Sequence, residues 1–213
     1  MSFGYLGDTS TKIKQQVKNQ GVISISENYE LEKAGHLGGS LELIEEQTFS
    51  GVSAVDFTSI KEEEYDVHFL TVKNTIMSGG ESSIAIQFYE NGVLETASVY
   101  QYATQFGQTD STFGESKSTG KEFIFLNYAN YGAGTNDNGN TYAYLYNLGN
   151  SSKYSFLTTQ GVLEDSAVVK MHFGGGVLPQ TSKVDGFRLL ESIGGRTVSG
   201  TAELYGVKQI WVT

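Results

Sequence analysis

The residues best suited to chemistry in this 213-residue chain are its three histidines, and no two of them share a motif. Neither an HExxH motif nor a paired-histidine spacing of the kind that binds zinc involves His36, His68 or His172. His68 lies in a mostly apolar strand and is predicted to be a hydrogen-bonded core residue. His172 shares a strand face with Lys170 and is predicted to face solvent. The histidines therefore indicate neither a metal site nor a catalytic role.

Acidic residues suggest two other kinds of site to consider, a calcium-binding loop and a pair of glycosidase carboxylates. Segment 135–140, TNDNGN, holds a single carboxylate, Asp137, and Asn147 stands where an EF-hand requires a bidentate glutamate. Glycosidases need two carboxylates roughly 5 to 9.5 Å apart across a cleft, and no pair stands out. With no cysteine and no GxSxG motif, the sequence predicts a non-enzymatic protein without a cofactor. The glycosidase candidates weighed are Glu42, Glu45, Glu46 and the run Glu62–Glu64.

The glycine-rich stretch GHLGGS, residues 35–40, marks a change in the character of the sequence. It has no dinucleotide-binding or Walker spacing, and no predicted helix follows it to bind a phosphate. We interpret Gly35, Gly38 and Gly39 as a hinge between an extended N-terminal arm, residues 1–39, and a β domain, residues 40–213. The arm is predicted to contact adjacent subunits through its apolar residues. These are Phe3, Tyr5, Leu6, Val22, Ile23 and Ile25.

The charge of the chain, −10, excludes a nucleic-acid partner, because neutralising phosphates requires a basic face. It is unevenly spread: residues 1–20 carry +2 and the remainder −12, which favours docking of the arm on an acidic surface such as a second copy. No secretory signal and no run of about 18 apolar residues is found. The sequence therefore predicts synthesis in the cytoplasm and no membrane span.

From Ser40 onward, short alternating apolar and polar runs separated by turns predict ten or eleven strands and no long helix. Asn91-Gly92 and Asn138-Gly139 each predict the tip of a hairpin. The polar segment 105–120 is predicted to be a loop. Strands at this spacing favour an all-β fold, an antiparallel β-sandwich of jelly-roll type.

The second hairpin suggests an alternative function, carbohydrate binding. Aromatic rings stack on the apolar faces of sugars, while amides and carboxylates bind hydroxyl groups. Tyrosines alternating along a strand are also common as half-buried sheet residues, and that interpretation is favoured. The candidate glycan contacts are Tyr128, Tyr131, Asn136, Asp137 and Tyr142.

Several segments resemble virion structural proteins of tailed phages, especially those of marine and cyanobacterial phages. The resemblance is carried by SLELIEEQTFSGVSAVDFTSI, by the strand YDVHFLTVKNT and by FRLLES followed by SGTAELYGVKQ. The start, MSFGYLGDTSTKIKQQVKNQGV, is similar to the arm of such proteins. The resemblance spans most of the chain and identifies no catalytic residue.

The resemblance implies a structural component of a virion, either capsid decoration or part of the neck, tail or tail fibre. The implied partners are further copies of the protein, with a trimer as one option, and phage capsid or tail proteins. A fibre protein that binds a host surface glycan for attachment is the alternative. The implied location is the virion.

Overall fold

The computed structural model describes residues 29, 40–79, 82–128, 131, 134 and 137–208. Within these ranges the regular structure consists of thirteen β-strands, and no helix there is long and apolar enough to cross a membrane. The strands are β1 Leu41–Val52, β2 Ala54–Phe57, β3 Val67–Met77, β4 Ile84–Glu90, β5 Val93–Leu94, β6 Tyr100–Gln108, β7 Phe113–Lys121, β8 Ile124–Phe125, β9 Gly139–Tyr146, β10 Ser155–Asp165, β11 Val168–Leu178, β12 Val184–Glu191 and β13 Val198–Val207.

The strands form two sheets. The large sheet has the order β1-β13-β3-β9-β10-β11-β6-β7, and the small sheet has the order β2-β12-β4-β5, with β8 also paired to β4. The pairings are antiparallel. This arrangement confirms the predicted antiparallel β-sandwich, in which the chain passes repeatedly from one sheet to the other. The strand count exceeds the prediction because β7 lies in the segment predicted to be a loop and because β5 is a short strand separate from β6.

The hydrophobic core draws side chains from both sheets. The rings of Phe57 and Phe187, on neighbouring strands of the small sheet, stack with centroids 4.8 Å apart. Exposure alternates along β3, so only one face of that strand is buried against the core. The large sheet supplies Leu70, Val72, Leu145 and Leu204 to the core, and the small sheet supplies Val55, Phe57, Ile86, Phe88 and Phe187.

Turn residues account for one of the two predicted hairpins. Asn91 and Gly92 have positive φ angles of 51° and 79° and join β4 to β5, as predicted. The hairpin predicted around Asn138-Gly139 is wrong, because the strand before it, β8, pairs in the small sheet while β9 lies in the large one. The chain therefore crosses between sheets where a hairpin was expected.

The predicted loop over residues 105–120 is also wrong, because β6 and β7 form a hairpin there. A Cβ atom on Gly107 would lie 3.1 Å from the ring of Phe113, and one on Gly114 would lie 2.4 Å from the ring of Phe106. Each glycine thus leaves room for an aromatic ring of the opposite strand, which packs across the hairpin.

By its internal contacts the chain divides into two units. The first unit, Glu42–Val207, contains both sheets apart from the initial residue of β1. The second consists of Met1–Leu41 with Lys208–Thr213, and in it the amide of Lys208 donates to the carbonyl of Ser40 at 2.8 Å. The predicted hinge glycines and arm residues lie outside the described residues, so the division at residues 39 and 40 stays a prediction.

Candidate functional site

The two histidines of the described chain are both structural. The prediction for His68 is confirmed: the side chain is buried, and its Nε2 atom lies 2.8 Å from the carbonyl oxygen of Ile60. The prediction that His172 faces solvent is wrong, because it is also buried, with Nε2 2.5 Å from the carbonyl oxygen of Leu126. Burial lowers the pKa of each imidazole, that of His172 to about 4. His36 lies outside the described residues.

Of the glutamates weighed from the sequence, four form ion pairs with lysine, namely Glu42, Glu62, Glu63 and Glu64. The ammonium group of Lys183 lies 2.8 Å from a carboxylate oxygen of Glu62 and 2.5 Å from one of Glu63. Lys61 lies 3.7 Å from Glu42. No group of three or more histidine, aspartate or glutamate side chains in the described chain is placed to hold a metal ion.

Glu90 and Glu95 form a carboxylate pair that the sequence analysis missed. Burial and the neighbouring charge of Glu95 raise the pKa of Glu90, while the amide of Ala97 lowers that of Glu95. The two side chains share a hydrogen bond, whereas glycosidase carboxylates stand roughly 5 to 9.5 Å apart with the sugar between them. The pair lies at the open end of the β4–β5 hairpin, since Glu90 ends β4 and Glu95 follows β5.

The predicted glycan contacts do not form one surface. Tyr131 and Asp137 are buried, and the carboxylate of Asp137 accepts from the amide of Gly134 at 2.7 Å. Tyr128 packs against the rings of Phe106 and Phe125. Tyr142 alone lies among the exposed residues of the large sheet. Asn136 lies outside the described residues.

The face of the large sheet that points away from the core is the most unusual surface of the described chain. A sheet with one face on the core normally presents polar side chains on the other. Here the register instead aligns aromatic side chains on adjacent strands of that outer face, with Tyr205 opposite Phe69 and Phe69 opposite Tyr144. We call Phe69, Tyr142, Tyr144, Tyr146 and Tyr205 the tyrosine tract.

Polar groups accompany the tyrosine tract. The hydroxyl of Tyr142 donates to Gln160 at 2.8 Å, and that of Tyr146 lies 3.3 Å from the hydroxyl of Thr158. Glu203 accepts hydrogen bonds from Tyr205 at 2.9 Å and from Lys73. The ammonium group of Lys73 lowers the pKa of the Glu203 carboxyl. The tract thus combines ring surfaces with fixed hydrogen-bonding groups.

Beside the tract, β6, β7, β10 and β11 form an apolar groove of about 610 Å³. Its apolar walls include Phe113, Val162, Val169, Met171 and Phe173, which we call the groove residues. Phe113 is 84% exposed, and Met171 and Phe173 are about half exposed. Apolar surface left in water on this scale is typical of a surface that binds a partner.

The alternation of apolar and polar residues that forms this groove is visible in the sequence, but the polar side was predicted to face solvent and faces the core. In VVKMHF of β11, Val169, Met171 and Phe173 alternate with Lys170 and His172. Polar residues on a strand usually face solvent, which is why Lys170 and His172 are predicted to point outward. In the structure Lys170 and His172 face inward and are buried, and the apolar side chains are exposed. There the ammonium group of Lys170 forms an ion pair with the carboxylate of Asp165, 2.6 Å away.

Comparisons with known proteins add little to these observations. The sequence matches no family profile and no curated protein. Among solved structures, a human SPRY domain is similar over 82% of this chain and 96% of that domain, with 9% sequence identity and a TM-score of 0.32.

Proposed function

We propose that the protein is a non-enzymatic structural component of a phage virion, acting by association with other copies of itself and with capsid or tail proteins. The observation that carries this proposal is the outer face of the large sheet, where the groove residues stand exposed beside the tyrosine tract. Burying one exposed phenylalanine or methionine stabilises a contact by about 1.5 to 3 kcal/mol. Several such residues on one face suffice for assembly when many copies act together.

The virion assignment is supported by the resemblance of the strand segments to phage structural proteins. The location that accompanies it is the virion, after synthesis in the host cytoplasm. The predicted arm lies outside the described residues, so the outer face supports the proposal independently of it. Capsid decoration and a place in the neck, tail or fibre are both compatible with such a face.

The test combines particle composition with solution mass. The copy number relative to the major capsid protein is measured by mass spectrometry on gradient-purified particles, and the mass of the purified chain by analytical ultracentrifugation. We expect a fixed copy number in particles and an oligomer in solution. Replacing Met171 and Phe173 by serine should reduce both.

Val93→Ser is the matched control, because Val93 is exposed but lies in the small sheet. It removes apolar surface elsewhere and should leave assembly unchanged. A monomeric wild type that is absent from particles would defeat the proposal. Equal effects of the control and the groove variant would defeat the role of this face.

A host-recognition module that binds surface glycan is the second candidate, and the tyrosine tract favours it. Tyr142, Tyr144 and Tyr146 follow one another along β9 with ring centroids 6.4 Å apart. The amide of Gln160 and the hydroxyl of Thr158 flank them. This combination suits a sugar chain lying along the strand. The candidate site thereby moves from the predicted hairpin to the middle of the large sheet.

A further inference from the structure

Strand β7 is the terminal strand of the large sheet among the described residues, so one side of it has no neighbouring strand there. Its residues 113–118 pair regularly with β6, and the register shifts beyond Ser118. We propose that two copies of the protein associate by antiparallel pairing of this edge about a two-fold axis at Ser116. The inference rests on the self-association proposed above and specifies the contact that produces it.

The backbone of β7 determines which residues can bond to a second copy. The amide of Gln108 donates to the carbonyl of Thr112 at 2.8 Å, so Thr112 directs its backbone groups toward β6. In an antiparallel ladder this direction alternates with every residue. The N–H and C=O groups of Phe113, Glu115 and Lys117 therefore point away from β6, toward the open edge.

On the outer face, the charged side chains of this edge are complementary to the same side chains of a second copy. With the two-fold axis at Ser116, Glu115 of one copy lies opposite Lys117 of the other, and the reverse pair forms on the far side of the axis. Within one chain the same two side chains already form an ion pair of 2.6 Å. Association would therefore place four charges of alternating sign in a two-by-two array across the strand pair. Opposite charges directly across a strand pair stabilise it.

An axis at either neighbouring residue lacks this complementarity. An axis at Glu115 would place that carboxylate opposite its own copy, and an axis at Lys117 would oppose two ammonium groups. Like charges directly opposite each other destabilise a strand pair. Charge therefore favours Ser116 over these two positions as the centre of the register.

The inner-face side chains of the edge are small enough for the same register. Ser116 would lie opposite Ser116 of the second copy, and Gly114 opposite Ser118. None of these residues projects far enough to separate the strands. On the outer face, Phe113, 84% exposed, would lie at the end of the regular pairing. An exposed strand edge is normally protected against pairing by charged side chains, but the charges of alternating sign here complement those of a second copy.

A contact of this kind is two-fold and closes after two copies. It would join two large sheets into one and would bring the two apolar grooves to the same face. A trimer would require a different contact.

The first test uses charge exchange in the full chain. Wild type should sediment at twice the chain mass of 23.2 kDa. Glu115→Lys alone and Lys117→Glu alone should each lose the dimer, because each variant brings like charges together. An equimolar mixture of the two variants should recover it, since every cross-pair is then opposite in sign. Lys153→Glu, an exposed charge change in a turn outside β7, should leave the dimer intact.

The second test uses the absence of cysteine from the chain. In the proposed register Ser116 occupies a non-hydrogen-bonded pair with Cα atoms about 4.5 Å apart, within the range that a disulfide spans. Ser116→Cys should form a disulfide-linked dimer on mild oxidation. Ser118→Cys, whose copy-related position lies several residues away, should not.

Two results overturn the proposal: a mixture that fails to recover the dimer, or equal cross-linking at both cysteine positions. If wild type remains oligomeric in either case, self-association stands and only this contact is wrong. A monomeric wild type that is absent from virions removes the contact and the proposed function together.

Discussion

The Nε2 atom of His172 donates a hydrogen bond to the carbonyl oxygen of Leu126, 2.5 Å away. Because a carbonyl oxygen only accepts, this nitrogen carries the proton of the neutral ring. The other nitrogen, Nδ1, is buried and has no hydrogen-bond partner among the described residues. Thr159 donates to the same carbonyl at 2.6 Å. Hydrogen bonds thus join two neighbouring strands of the large sheet to the segment that follows β8 of the small sheet.

Acid should weaken the fold through His172. Its pKa is about 4 in the folded protein and about 6.5 in the unfolded chain, so the unfolded chain takes up the proton first as the pH falls. The stability is therefore complete above pH 6.5 and declines as the pH falls toward 4. We expect the free energy of unfolding to fall by about 3 kcal/mol between pH 7 and pH 4 from this residue alone. Urea unfolding across this pH range measures it.

The matched variant is His172→Gln, whose amide can still donate to Leu126 but does not titrate. Its stability should depend less on pH than that of wild type, and the difference between the two curves isolates the histidine from other titrating groups. His68→Gln should act in the same direction, since burial also lowers the pKa of His68. Parallel curves for wild type and His172→Gln would contradict the prediction.

Gly161→Ala should be among the most damaging small changes. A Cβ atom at Gly161 would lie 2.4 Å from Oγ1 of Thr141, 2.5 Å from the ring of His172 and 2.7 Å from the carbonyl oxygen of Asn140. Overpacking of this kind costs about 1 to 3 kcal/mol. The control is Gly194→Ala, where φ is +85° but no atom lies within 4 Å, so only backbone strain of about 1 kcal/mol applies. Thermal and urea unfolding compare them, and equal losses would contradict the steric argument.

If the tyrosine tract binds glycan, Tyr142→Ala together with Tyr144→Ala should abolish retention on host polysaccharide without unfolding the protein. Both side chains are more than a third exposed, so their removal leaves the core intact. Tyr131→Ala should instead destabilise the fold by about 3 to 5 kcal/mol, as for other large buried aromatic residues, because Tyr131 is fully buried. Glycan-array binding and circular dichroism separate the two effects. Unchanged retention in the double variant would exclude the tract.

The ion pair between Asp56 and Arg188 should contribute little despite its bidentate geometry. The guanidinium donates to the carboxylate at 2.7 and 2.9 Å across β2 and β12, and it lowers the pKa of Asp56. Both side chains are about one third exposed. We therefore expect Asp56→Asn to cost less than about 1 kcal/mol. Salt should reduce this difference further, and urea unfolding at low and high salt checks both statements.

Alternation of apolar and polar residues was enough to predict the fold class and several strands. Val55 and Phe57 face the core while Asp56 and Thr58 are exposed, as the period of two in β2 predicts. The positive φ angles needed at Asn91 and Gly92 likewise made the first hairpin predictable. These features depend on local chemistry that a short stretch of sequence contains.

The candidate site could not be predicted because it depends on which face of a strand is buried. In β11 the alternation of apolar and polar residues is visible in the sequence. The ion pair of Lys170 with Asp165 and the hydrogen bond of His172 with Leu126, however, form only when the sheets have packed. In β7 the aromatic bulk is supplied by Phe106 from the neighbouring strand, so glycine and serine resemble a loop when read alone. Both cases require knowledge of partners distant in sequence.

The order of strands also bears on when the protein can fold during synthesis. β12 lies between β2 and β4, and β13 lies between β1 and β3. Both are synthesised after the strands on either side of them, so the earlier strands cannot close around the core until β12 and β13 are made. Contacts of such long sequence separation slow folding. The outer face should therefore form only after synthesis has passed β13, which keeps a nascent chain from assembling before it is complete through that strand.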